Sequence, residues 1–181
     1  MRARFVDASV FVHAFLKPRR VLKPHEQTIK RNAQAIVSRI NRGEEVMISV
    51  VHLIEVANIL EDWMEAGDAR SVQAGLCMRD NVTTLQVGRN DIIEALSVGQ
   101  MTALGTSDAL AVVLMEANSV EEIYSFDNDF DRVEGIRRIT DLAFVAILVM
   151  RSAFLAGTAR VMGNQDSSEE MAVWRERMGG R

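Results

Sequence analysis

Arg4-Phe5-Val6-Asp7-Ala8-Ser9-Val10 opens with a short strand of the buried type that stops at an acid, Asp7. A helix over Val10 to Leu16 follows, cut by Pro18. The same strand-then-helix alternation repeats outward. Beyond the basic loop through Pro24, Ile29, Ala33, Ile36, Val37 and Ile40 keep helical spacing, and Gly43 stands in the usual C-terminal position. Glu45 to Val50 is strand-like, with Ser49 placed to cap a helix that carries Leu53, Ile54, Ala57, Leu60 and Met64 and closes at Gly67. A helix over about 68–80, a strand over Val82 to Val87 and a helix over Ile92 to Met101 capped by Asn90 come next. Thr106-Ser107-Asp108 then opens the apolar helix Ala109 to Ala117. Glu122 to Phe126 is a strand, Asp129 to Val133 a helical turn and Ile136 to Ile139 a last strand. Strands alternating with helices require crossover connections, which predicts an α/β fold with a mostly parallel sheet.

A boundary near Thr140 separates a domain over 1–139 from an extension over 140–181. The extension begins with the apolar stretch from Leu142, expected to be a helix, and runs through a polar segment to a terminal piece expected to fray. It is too apolar to lie free in water, so it packs on the domain or forms an oligomer contact. The longest apolar run, Leu142 to Met150, is about half of what a membrane-spanning helix needs, and Met1-Arg2-Ala3-Arg4 leads into the first strand without an apolar leader. With the single Cys77 no internal disulfide can form, so a reducing cytoplasm is the expected compartment. Beside Leu76 and Met78, Cys77 itself is expected in the core.

The net charge of -4 hides a segregation. Residues 1–42 carry ten basic and two acidic side chains, residues 43–139 six basic and eighteen acidic, and residues 140–181 five of each. The basic segment includes Lys17, Arg19, Arg20, Lys23, Lys30 and Arg31, and a run so one-sided in an acidic protein points to phosphate-backbone contact rather than a merely solvated face. Aromatic residues, at 6%, are too few for an extended stacking platform.

In a parallel α/β sheet, binding groups gather at the carboxyl ends of strands. Asp7 sits at such an end, and Asp127 and Asp129 follow the strand ending at Phe126. Glu55 lies on the second turn of one helix and Asp108 on the first turn of another. Singly, an acid at a strand or helix end is an ordinary cap. Four segments that each offer an acid beside an apolar element make a pattern. Converging carboxylates raise one another's pKa unless a cation joins them, and hard oxygen donors without a Cys or His cluster select Mg²⁺ or Mn²⁺. Such a centre can activate water and neutralise a phosphodiester during hydrolysis.

Phe5-Val6-Asp7-Ala8-Ser9-Val10, Ile54-Glu55-Val56-Ala57-Asn58, Thr106-Ser107-Asp108-Ala109-Leu110-Ala111 and Ser125-Phe126-Asp127-Asn128-Asp129-Phe130 together resemble the four motifs of the PIN-domain ribonucleases, in the right order over about three quarters of the chain. The resemblance implies a three-layer α/β/α domain acting as a Mg²⁺- or Mn²⁺-dependent endoribonuclease. It implies Asp7, Glu55, Asp108 and Asp127 as the catalytic, metal-binding acids. Asp129 is the alternative for the fourth, and Ser9, Asn58 and Ser107 are supporting residues. The best-known members are VapC-type toxins restrained by an antitoxin, and members commonly form dimers, so an RNA substrate, an antitoxin and a homodimer are implied. The long basic insert between the first two helices and the extension depart from the minimal toxin pattern. That keeps an RNA-processing nuclease and a non-catalytic RNA- or protein-binding scaffold as alternatives.

Other chemistries fail on residue types. His52 lies three residues before Glu55, but no further His or Cys pair completes a zinc site, so His52 is expected to start its helix or support the acids. His13 and His25 have no Ser or Cys partner for a triad. All three lysines lie at or before Lys30, which excludes the late lysine of phosphoacceptor receivers and of haloacid-dehalogenase-type phosphatases, and no Gly-Lys-Ser/Thr string exists for a P-loop.

Overall fold

The computed structural model describes residues 3–18 and 20–141. Arg19 and all of the expected extension except Thr140 and Asp141 lie outside the described residues. Five strands form one sheet: β1 (Arg4–Val6), β2 (Val46–Ser49), β3 (Val82–Leu85), β4 (Glu122–Tyr124) and β5 (Arg137–Ile139). Their order is β3-β2-β1-β4-β5 and every neighbouring pair is parallel. The helices are α1 (Ala8–Phe15), α2 (Pro24–Asn41), α3 (Val50–Trp63), α4 (Ala66–Cys77), α5 (Arg89–Thr102) and α6 (Thr106–Ala117), with a short 3-10 helix over Asn128–Arg132.

Handedness distributes the helices. Crossovers from β1 to β2 and from β2 to β3 step in one direction, and the next connection steps back past β1 to β4. Right-handed connections therefore put α1–α4 on one face and α5–α6 on the other, the expected three layers. The central strand is apolar because both faces are covered: Phe5 and Val6 are wholly buried, and Phe5 lies opposite Met47 on one side and Ile123 on the other. Helix α6 is buried from Ala109 through Met115 and packs with Phe5, Ile123 and Phe130. No single helix among the described residues is long and apolar enough to cross a membrane.

At the amino end of the sheet, Arg4 pairs with Glu44 at 2.6 Å and with Glu122. Glu44 also takes Arg39 at 2.6 Å and the Tyr124 hydroxyl at 2.7 Å. The charge of a nearly buried arginine is thus fully partnered, the condition under which such a group is tolerated.

Three expectations fail locally. Gly67 does not close α3, which ends at Trp63; lacking the left-handed backbone that Gly43 shows at φ 100°, it is instead the second residue of α4. Asn90 does not cap α5, because Gly88 precedes the helix and gives its N–H to the Asp91 carboxylate at 2.7 Å. Cys77 is exposed rather than in the core: it ends α4 one residue round from the buried Leu76, on the solvent side.

Candidate active site

The strand order reverses between β1 and β4, and at that point the two chains diverge and leave a crevice at their carboxyl ends. Asp7 leaves β1 there. Its N–H continues the sheet to the Tyr124 carbonyl at 2.9 Å, and its side chain caps α1. That dual role explains why the helix starts at Ala8, two residues earlier than its apolar spacing suggests. One oxygen, Oδ2, receives the Ser9 hydroxyl, the Ser9 N–H and, at 2.8 Å, the hydroxyl of fully buried Ser125. Each hydroxyl also accepts a backbone proton: Ser9 Oγ from Phe126 N–H and Ser125 Oγ from Asp127 N–H, both at 3.0 Å. Two serines thus tie the acid of β1 to the segment leaving β4.

Glu55 reaches the crevice from the second turn of α3, whose first turn is capped by Ser49 onto the His52 N–H. Its Oε2 accepts the Ser107 hydroxyl of α6 at 2.9 Å, across the sheet layer. Asp108 stands in the first turn of α6, after Gly105 at the helix cap. Asp127 caps the 3-10 helix, its Oδ1 accepting Asp129 N–H at 2.8 Å.

Asp108 carries the electrostatic signature. Burial, then Asp7, Asp127, Glu55 and Asp129 in that order, push its carboxyl up to about 7 from an ordinary 3.8. Glu55 is raised too, by burial first and Asp7 second, against the Ser107 hydrogen bond. A helix N-terminus normally lowers an acid's pKa, and at Asp108 burial first and the neighbouring acids second outweigh it. The five acids therefore share one field. Asp129 ranks last in it and is paired with Arg132, whereas Asp127 has no ion pair among the described residues.

The donor set suits a hard cation. Asp7, Glu55 and Asp127 each spend one oxygen on a structural hydrogen bond, and the other oxygen accepts none among the described residues; Asp108 accepts none on either. None of these four is ion-paired among the described residues. As placed, though, no three acid, His or Cys groups among the described residues meet where one ion could touch them all.

The remaining sequence candidates divide. Ser9 and Ser107 hold Asp7 and Glu55, whereas Asn58 is exposed and takes no part in the hydrogen bonds of the site among the described residues. His52 starts α3 as expected: it is fully buried, its Nδ1 lies 2.7 Å from Ser49 Oγ, and its Nε2 has no partner among the described residues. His25 is exposed. Of the basic residues, Lys30 gives its ammonium to the carbonyls of His13, Ala14 and Leu16, closing the C-terminus of α1, and Arg20 forks onto Glu26. Arg31 touches Thr28, and Lys17 and Lys23 are exposed. Sequence reasoning passed over Ser125; the available signal was a small hydroxyl residue at the end of an apolar strand, two residues before Asp127.

A family model described as PIN domain matches residues 4–136. Among solved structures, the sarcin–ricin-loop-cleaving toxin VapC20 of Mycobacterium tuberculosis aligns with TM-score 0.53 and 19% identity, over 71% of this chain and 93% of that one. A toxin–antitoxin complex from Klebsiella pneumoniae gives TM-score 0.53, 12% identity and coverage of 75% and 96%. The VapBC2 complex of Rickettsia felis, bound to a promoter DNA fragment, gives 0.52, 10%, 76% and 98%. No curated protein matches the chain. With the fold shared by these structures and the PIN model spanning both ends of the acidic crevice, the chain belongs to the PIN domain family.

Proposed function

We propose that this PIN-domain chain is a Mg²⁺- or Mn²⁺-dependent endoribonuclease that hydrolyses RNA phosphodiester bonds. The observation that carries the reading is the Asp108 carboxyl, pushed up to about 7 in a crevice where four further acids gather and no cationic side chain pairs with Asp7, Glu55, Asp108 or Asp127 among the described residues. A bound divalent cation would be held by Asp7, Asp108, Glu55 and Asp127, and it would supply charge neutralisation at the scissile phosphate and activation of the attacking water. Ser9 and Ser125 fix Asp7 so that Oδ1 is the oxygen it offers, and Ser107 turns Glu55 so that Oε1 is free. Asp127, anchored through Oδ1, keeps Oδ2 for the same crevice. Lys17, Lys23 and Arg31 hold the RNA backbone, in the cytoplasm.

The relatives that are toxins or toxin–antitoxin complexes favour a toxin role here with an antitoxin partner, and the motif resemblance adds a homodimeric assembly. The test is cleavage of single-stranded RNA with Mg²⁺ or Mn²⁺, alongside calorimetric titration of Mn²⁺. Asp7→Asn and Asp108→Asn are expected to abolish cleavage and weaken Mn²⁺ binding while the protein stays folded. Cleavage at the parent rate by both variants refutes the assignment, and RNA binding without any metal binding points to a scaffold.

A further inference from the structure

A cavity of about 240 Å³ opens between α1, the loop residues Leu16, Lys17, Pro18 and Leu22, the start of α2 and Trp63 at the end of α3. We propose that it takes one nucleobase of the RNA, from a nucleotide flanking the phosphate held at the carboxylates; this rests on the nuclease reading above.

Size is the first argument. The volume falls below the ~300–1,000 Å³ of a site for a drug-sized ligand and suits a single ring system. The walls are the second. Leu16 and Leu22 are aliphatic, Trp63 presents a half-exposed indole and His13 an imidazole, and a base face stacks on such surfaces whatever its identity.

Charge argues for a nucleotide over an apolar peptide. The ammonium of Lys30 in the wall is spent on α1 carbonyls and the Glu26 carboxylate on Arg20, while Lys17 at the same wall has no ion pair among the described residues. The cavity therefore offers an apolar interior beside an uncompensated cation, the combination a base with its phosphate requires.

Continuity with the acids is the strongest argument. The His13 ring stands edge-on to Phe126, centroids 5.4 Å apart at 78°, and Phe126 N–H rests on the Ser9 hydroxyl that holds Asp7. From Asp7 to His13 the helix advances about 9 Å, at ~1.5 Å per residue. A strand whose phosphate lies at Asp7 passes the His13–Phe126 pair and reaches the cavity with a neighbouring base.

The test measures binding of a labelled single-stranded RNA to the full chain carrying Asp108→Asn, so that cutting does not intervene. Trp63→Ala is expected to weaken binding about tenfold to a hundredfold, and Trp63→Phe, which keeps a ring, much less. Leu16→Trp, which fills the cavity without removing a wall, is expected to block the same contact. In a scan placing one abasic site at each RNA position, one position is expected to bind the parent and Trp63→Ala equally. The proposal is overturned if Trp63→Ala and Leu16→Trp bind intact RNA as the parent does, or if abasic losses ignore Trp63 at every position. If those variants bind RNA as the parent does and, on the otherwise unchanged chain, cut it at the parent rate, the nuclease reading stands and the base site falls. If the unchanged chain neither binds nor cuts RNA, both readings fall.

Discussion

Replacing Asp108 by asparagine is expected to make the metal-free protein more stable above neutral pH while removing its activity. The carboxyl is raised from 3.8 to about 7 in the folded protein, so the folded state holds a proton that the unfolded chain releases between those values. For a raised acid, the stability it contributes is intact below about pH 4 and is lost as pH climbs to about 7. A pKa raised by about 3 pH units corresponds to about 4 kcal/mol at ~1.36 kcal/mol each. Asp108 is only half buried, so solvent and salt screen the repulsion, and the discounted effect is on the order of 1–2 kcal/mol. Asparagine keeps the shape and carries no charge, so thermal melts in a chelator at pH 8 should place the variant about 3–6 °C above the parent. That gap should shrink steadily on the way down to pH 4. Added Mn²⁺ should reverse the order by raising the parent's midpoint and leaving the variant's nearly unmoved. A variant no more stable than the parent at pH 8, or a gap that does not change with pH, would refute the argument that burial and neighbouring acids together raise Asp108.

Ser125→Ala removes a donor to Asp7 and the acceptor for Asp127 N–H inside a fully buried site, so urea denaturation should show a loss of about 1–3 kcal/mol, and Mn²⁺ titration a weaker affinity. Arg4→Met removes the cation shared by Glu44 and Glu122, which keep Arg39 and Arg137 as partners, and should cost about 1–3 kcal/mol by the same denaturation measurement. Lys30→Met uncovers the carbonyls of His13, Ala14 and Leu16 at the end of α1, so it should lower stability by about 1 kcal/mol in urea denaturation.

Element order was legible from the chain because three of the five strands lead into a residue with a local duty: Asp7 and Ser49 cap the helices that follow, and Ser125 feeds the crevice. Spacing alone could not place the ends. The strand expected to run to Phe126 stops at Tyr124 because Ser125 and the next two N–H groups turn from the sheet toward Ser9 and Ser125 oxygens. The acids were visible as types at strand and helix ends, but their ranking was not: only the fold sets Arg132 against Asp129 and leaves Asp127 unpaired by any cation among the described residues. Lys30 illustrates the limit in the other direction, since a lysine in a basic run reads as a phosphate contact until the end of α1 is found beneath it.

The order β3-β2-β1-β4-β5 has a consequence for biosynthesis. By the time residue 103 has been made, β1, β2 and β3 can already pair, yet the crevice lacks Asp108, Ser125 and Asp127. The strand that completes it, β4, is the fourth in the chain but sits beside the first. A growing or prematurely terminated chain thus has a folded half-sheet with a bare β1 edge and an incomplete acidic crevice, and the assembled set of acids appears only once the centre of the sheet has been closed from its far end.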